Sequence, residues 1–354
     1  MIARFRVRLP FSFLVPAKLT FPEIDTAMAG YRVVLRGPLQ SRKPTSNETA
    51  AAVPVVVIGE EIIPANPPRI LDQVSIDGRE AFQADLIQLD FHKADFNRQN
   101  AVRNSPTDPP EELAFKIVNS LLRRLRSVSQ APHAFEISSA NAPWTIDYVS
   151  DGEDPLPANT GISSRTNTPW QFQDQSITGE IWEMANSLPF DYEPPRWDTL
   201  LLDAQQLLPQ LGPALVLAAT AVETIASAVI DYLFSKSAVP QRLHEWITDR
   251  GDWRKDPSVE EQCDILLKSL SGQSLKEQPK LWEVFRNLKT ARNNFVHEGV
   301  AAINKTPATL QSASLLIEQT SNVVSFLEGF LDDSRKRRIA NKPIVKLPPY
   351  LAGR

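Results

Sequence analysis

The uneven distribution of proline most constrains how this chain can fold, because proline lacks a backbone N–H donor and interrupts helices. Of the 29 prolines, 20 lie before residue 196 of the 354 residues. After that position, long segments carry apolar residues at helical spacing. The sequence therefore predicts an α+β protein in two parts, a strand-rich α+β domain over residues 1–195 and an all-α helical bundle over residues 196–335.

The first part alternates apolar and polar residues, a pattern typical of half-buried strands. Phe5, Val7 and Leu9 alternate with arginines, which favours a strand over a cleaved signal peptide. The predicted strands are Arg4–Leu14, Tyr31–Arg36, Val53–Ile58, Ala81–Phe91, His133–Ser139 and Trp144–Val149. An amphipathic helix is expected at Glu111–Val128, where large apolar residues follow one face.

A nearly all-apolar segment, Ala214–Phe234, dominates the second part. Glu223 and Asp231 interrupt it, so a buried helix at the centre of a bundle is favoured over a membrane span. The other predicted helices are Trp197–Leu208, Pro257–Leu270, Pro279–His297 and Pro307–Leu331. Residues 336–354 form a basic, proline-rich end, which is typical of a solvated tail.

Composition and motifs exclude several classes of function. The formal net charge is −4 and the pI about 5.7, so nucleic-acid binding would need a local basic patch. Cys263 is the single cysteine, which rules out an intrachain disulfide and fits a reducing cytoplasm. The histidines are widely separated, and no P-loop, nucleophile-elbow or HExxH motif occurs. We therefore expect a cytoplasmic protein that uses no metal or other cofactor.

One helix end concentrates groups suited to chemistry, the stretch ARNNFVHEG at residues 291–299. The apolar stripe of this predicted helix consists of Leu281, Phe285, Leu288 and Phe295. Arg292 falls on that stripe, where a guanidinium is costly unless it is paired or faces a partner or ligand. Asn293 and His297 are four residues apart and project together from the neighbouring face, and Gly299 ends the helix.

Arg292 and His297, separated by four residues, resemble the signature of the HEPN family, and in particular of the Apea-like HEPN ribonucleases. The resemblance covers roughly residues 196–335. It implies a small helical bundle that cleaves RNA without a metal ion, leaving 2′,3′-cyclic phosphate ends. It also implies a two-fold homodimer that brings two copies of the motif into one cleft.

The resemblance further implies the role of each candidate residue. His297 would transfer protons, and Arg292 would stabilise the charge on the phosphate. Asn293 would contact the phosphate or fix the imidazole ring, with Asn294 as a weaker candidate. Glu223 would support the site by orienting Arg292. By family analogy, residues 1–195 would act as a sensor or recognise a protein partner, in a microbial defence or stress protein.

Three alternatives stay open at the level of sequence. Arg292 could form an internal salt bridge, with Glu223 as its partner, while His297 satisfies carbonyls at the helix end. A HEPN-like bundle could also serve as a dimerisation or nucleotide- or RNA-binding module without catalysis. Finally, the first domain could be the active part, although it shows no catalytic constellation.

Overall fold

The computed structural model describes residues 1–42, 55–57, 74–96, 107–149, 156–161, 176–237, 247 and 257–346. The chain divides into two compact units. The first unit comprises Met1–Glu193 together with Ile339–Arg354, and the second comprises Pro194–Arg338. Strands dominate the first unit and helices the second, so the protein belongs to the α+β class.

An antiparallel sheet is the centre of the first unit. The strands of the described residues in this unit are β1 (Ile2–Pro16), β2 (Ile24–Met28), β3 (Tyr31–Arg42), β4 (Val55–Val57), β5 (Ser75–Ile76), β6 (Arg79–His92), β7 (Trp144–Val149), β8 (Leu156–Gly161) and β11 (Val345–Lys346). The long strands β1 and β6 pair with each other, β6 also pairs with β3, and β1 also pairs with β7. The prediction at Val53–Ile58 is met by β4, and its remaining residues lie outside the described part of the chain.

Alternation along β1 separates an apolar core face from a charged face, because successive side chains of a strand point to opposite sides. Phe5 and Val7 are fully buried in the core, where α1 (Glu111–Ser129) and α2 (Gly179–Ser187) also pack. On the opposite face Arg4, Arg6 and Arg8 form ion pairs with buried aspartates of neighbouring strands. The predicted alternation at the N-terminus is therefore confirmed.

The strand predicted at His133–Ser139 is wrong. The chain turns there, with the N–H of Ala134 donating to the carbonyl of Ala131 at 3.1 Å. Asn119 of α1 then binds both backbone groups of Ile137, donating to its carbonyl and accepting from its N–H at 2.8 Å each. The side chain of Asn119 thus forms the hydrogen bonds that a neighbouring strand would otherwise form with this backbone.

The second unit is a helical bundle. Its main helices in the described residues are α3 (Arg196–Gln206), α4 (Leu211–Lys236), α6 (Pro279–Glu298) and α7 (Leu310–Glu328). The central helix is α4, which packs against α3, α6 and α7. Between α4 and α6, α5 combines an α-helical turn (Val259–Glu261), a π-helical stretch (Gln262–Leu266) and a second α-helical segment (Leu267–Ser271). A short hairpin of β9 (Ala302–Ile303) and β10 (Thr306–Pro307) joins α6 to α7.

The central helix α4 is long and apolar enough to span a membrane, by length and composition alone. However, 56% of its most apolar stretch is buried inside the protein. Small residues such as Ala218 and Ala221 are fully buried, so neighbouring helices approach its backbone closely. These features are those of a helix at the core of a helical bundle.

Part of the basic C-terminal end, for which the sequence predicts a solvated tail over residues 336–354, is packed against the protein. Arg337 is buried and binds Glu328 of α7. Ala340 donates its N–H to the carbonyl of Val128 at 3.0 Å, and β11 pairs with β5. Residues 336–346, the described part of the tail, are therefore anchored at Arg337, Ala340 and β11, while most of the other side chains there are exposed.

Candidate functional site

The candidate site occupies the last turns of α6, whose ends follow local sequence signals. Pro279 stands in its first turn, where a missing N–H costs nothing. Gly299 caps the other end in the left-handed region, with φ of 71°, and its N–H donates to the carbonyl of Phe295 at 2.9 Å. Arg292 and His297 therefore both lie within the helix, close to its C-terminus.

Buried apolar residues hold this end of α6 against the bundle. Leu288 is 1% exposed and Ala291 is fully buried. The ring of Phe295 lies directly on Gly212 in the first turn of α4, where an added Cβ would fall 2.1 Å from the ring. Only glycine admits this contact, so Gly212 fixes the position of the segment that carries Arg292 and His297.

Gly212→Ala is expected to destabilise the protein by about 1–3 kcal/mol, because the new methyl group overlaps the ring of Phe295 and overpacks the contact. The measurement is the free energy of unfolding in denaturant. The double variant Gly212→Ala, Phe295→Leu should recover part of this loss, since the smaller side chain makes room for the methyl group. Strict additivity of the two single changes would contradict the contact.

Arg292 is half-buried, and its Nη1 donates to Oδ1 of Asn293 at 3.0 Å. His297 is five positions after Arg292, which places their Cβ atoms about 140° apart around the helix. Asn293 and His297 differ by only about 40°. The hydrogen bond to Asn293 thus turns the guanidinium toward the face that carries His297, and His297 itself is exposed to solvent.

Glu223 and Asn294, the two residues expected to support the site, make no described hydrogen bond to Arg292. Glu223 is half-buried on α4, and no hydrogen bond or ion pair within the described part of the chain joins it to Arg292. The described part of the chain therefore shows no internal salt bridge between Arg292 and Glu223. Without that contact, Glu223 does not orient Arg292. Asn294 is half-buried one position further round the helix, with no side-chain hydrogen bond to a described residue. Asn293 is the residue that orients Arg292.

Large apolar side chains are exposed around this end of the bundle, a feature that the sequence reasoning missed. Val296 is 50% exposed and Val300 is 49% exposed, on either side of His297. Leu310 and Leu315 of α7 are 53% and 50% exposed. The N–H of Ala308 donates to the carbonyl of Ala301 at 2.8 Å, which brings the end of α6 close to the start of α7. The sequence indicates this exposed apolar surface through Val296 and Val300, which flank His297.

A metal centre and a reactive cysteine are two other kinds of site that the described residues could form. Among the residues that the structure describes, no group of three His, Cys, Asp or Glu side chains is arranged to hold a metal ion. Cys263 is 1% exposed within the π-helical stretch, and burial raises the pKa of its thiol to about 12. The thiolate is the reactive form, so Cys263 is unsuited to act as a nucleophile.

Native protein is accordingly expected to react with an aromatic disulfide reagent at pH 8 at least about 100-fold more slowly than unfolded protein, because Cys263 is both protonated and shielded. The raised pKa means that the thiol stays neutral until the pH approaches 12. The release of the coloured thiol product measures the rate. Equal rates for native and unfolded protein would show that Cys263 is accessible.

No known protein family, curated protein or solved structure matches this chain. Any assignment of function therefore depends on the residues and their geometry.

Proposed function

We propose that the second unit is a HEPN-like bundle that cleaves RNA without a metal ion, at a site shared by two copies of the chain. The observation that carries this proposal is the Arg292–Asn293 hydrogen bond beside the exposed imidazole of His297. No described carboxylate neutralises Arg292 within ion-pair distance. A fixed cation, a hydrogen-bonding amide and an accessible proton carrier are the groups that phosphodiester cleavage needs.

In the proposed reaction the 2′-oxygen of RNA attacks the adjacent phosphorus, the P–O2′ bond forms and the P–O5′ bond breaks. One imidazole takes the proton of the 2′-hydroxyl, and a second acid gives a proton to the departing 5′-oxygen. The products are a 2′,3′-cyclic phosphate and a 5′-hydroxyl, with no net change of charge or oxidation state. The guanidinium of Arg292 stabilises the dianionic phosphorane, since its planar fork matches two phosphate oxygens.

A single His297 cannot serve at once as base and acid, so the reaction favours a two-fold dimer in which the partner's His297 supplies the second proton carrier. An isologous interface juxtaposes the same patch from both copies. The exposed side chains of Val296, Val300 and Leu310 support this arrangement, because burying them against a second copy removes apolar surface from water.

The test is RNA cleavage by the full-length protein in the presence of excess EDTA. Single-stranded and structured RNA should both be offered, and the products analysed for 2′,3′-cyclic phosphate and 5′-hydroxyl ends. Sedimentation at micromolar concentration should show a dimer. Cleavage that requires a divalent ion, or a strictly monomeric active protein, would contradict the proposal.

A non-catalytic dimerisation or RNA-binding module is the second candidate, and the helical separation of Arg292 and His297 favours it. Side chains about 140° apart can reach different phosphates more readily than one scissile group. The two candidates differ in one result. A binding module would retain RNA affinity, dimerise and leave the RNA intact.

We assign the first unit a recognition role toward a protein partner or signal that controls the second unit. This assignment follows from family analogy, as does the setting in microbial defence or stress. A cytoplasmic location is part of the proposal and is supported by the unpaired, buried Cys263.

A further inference from the structure

A row of polar side chains runs along the exposed face of α6 and leads away from His297. Its members are Arg286, Thr290, Asn293 and His297, with spacings of four, three and four residues. Residues at these spacings share one face of a helix. All but Asn293 are exposed to solvent, and Asn293 is half-buried. The row spans about 16 Å from Arg286 to His297, since each helical residue rises about 1.5 Å.

The charges along α6 are not distributed as in an ordinary solvated helix. Lys289, which lies off the row, forms an ion pair with Glu260 at 2.5 Å. Arg286 and Arg292, the two arginines of α6, have no carboxylate partner among the described residues. Glu283, one turn before Arg286, is exposed and places a negative charge beyond the end of the row. The positively charged part of this face therefore ends at Glu283.

We propose that this row is the track for one strand of RNA, with Arg286 contacting a backbone phosphate several nucleotides from the scissile one. This inference rests on the proposed function and adds a substrate class, a single strand longer than a dinucleotide. The length of the row matches roughly five stacked nucleotides, or fewer when the strand is extended, because stacked nucleotides rise about 3.4 Å each. Glu283 sets the far limit, since a carboxylate repels the next phosphate.

The experiment compares Arg286→Gln with Lys280→Gln in the full-length protein. Lys280 is a matched control, because it is exposed on the same helix but about 120° away from Arg286 around its axis. The probes are fluorescent RNAs with 2′-O-methyl groups, which cannot be cleaved, as a dinucleotide and as an oligonucleotide of about eight nucleotides. Binding is measured by anisotropy over a series of salt concentrations.

For the longer RNA, Arg286→Gln should weaken binding about tenfold at low salt and lower the slope of log affinity against log salt by about 0.7, the value expected for one phosphate contact to a single strand. Lys280→Gln should leave affinity and slope unchanged, and neither change should alter dinucleotide binding. Equal slopes for both variants would overturn the proposal, as would dissociation of the dimer by Arg286→Gln, which would assign Arg286 to the subunit interface.

Failure of this inference is separable from failure of the proposed nuclease activity. If the wild-type protein cleaves RNA but the two variants bind the longer RNA alike, Arg286 is not part of the track. If the wild-type protein cleaves nothing while Arg286→Gln alone loses affinity and salt slope, the track stands as a binding surface and the nuclease proposal fails.

Discussion

His297→Ala and Arg292→Ala are each expected to lower the rate of RNA cleavage in EDTA by at least about 100-fold, because a positioned proton carrier and a fixed cation each supply that much. The rate is measured with enzyme in excess over a labelled RNA, so that a single turnover is followed. Arg292→Lys should retain only part of the rate, because an ammonium keeps the charge but loses the bidentate fork and the geometry of the bond to Asn293.

Glu298→Gln is the matched control, since Glu298 is the exposed neighbour of His297 and lies outside the proposed chemistry. Its rate should stay within about twofold of the wild type, as expected for a surface change that removes no group of the proposed chemistry. Circular dichroism should show that all variants keep their helices. Unchanged cleavage by His297→Ala would remove the imidazole from the mechanism and contradict the proposed site.

Mixing the wild type with an excess of His297→Ala tests whether the two imidazoles share one site. If each active site needs both copies of His297, mixed dimers are inactive and activity falls more steeply than the wild-type fraction. If each subunit acts alone, activity falls in proportion to that fraction. The first result is expected, because an isologous interface makes every site depend on both subunits.

The elements that could be predicted from the sequence are those fixed by local chemistry. Pro279 and Gly299 mark the two ends of α6 to within a residue, because both act through backbone conformation. The helix predicted at Glu111–Val128 ends one residue later in the structure, and the apolar helix predicted at Ala214–Phe234 extends by a turn at the start. Periodicity identifies such helices because their burial repeats with the helical period.

The features that the sequence missed depend on residues distant in the chain. Nothing near His133–Ser139 indicates that Asn119 satisfies its backbone, and nothing near Val345 indicates that β5 is its partner. At the candidate site, the position of Arg292 on an apolar stripe suggested a partner, and the sequence offered Glu223 for that role. The adjacent Asn293 is that partner in the described part of the chain, and the distant Glu223 is not.

The basic cluster at residues 335–338 departs from the predicted solvated tail at one position, because Arg337 is buried. The side chain of Arg337 is 1% exposed, and its Nε donates to both carboxylate oxygens of Glu328 at 3.1 and 3.0 Å. Its other nitrogens donate to Ser321 and Ser325 of α7. Glu328 also accepts from the indole N–H of Trp197 at 2.7 Å, so one carboxylate joins α3, α7 and the end of the chain.

Arg337→Met is therefore expected to lower the free energy of unfolding by about 3–5 kcal/mol, because it leaves the carboxylate of Glu328 buried without its countercharge. Denaturant unfolding of the full chain, followed by tryptophan fluorescence, measures the change. Arg338→Met removes an exposed neighbouring charge and should cost less than about 0.5 kcal/mol. Adding Glu328→Leu to Arg337→Met should restore much of the loss, since an apolar pair needs no countercharge. Equal stability of the two arginine variants would instead place Arg337 in solvent, as a free basic tail requires.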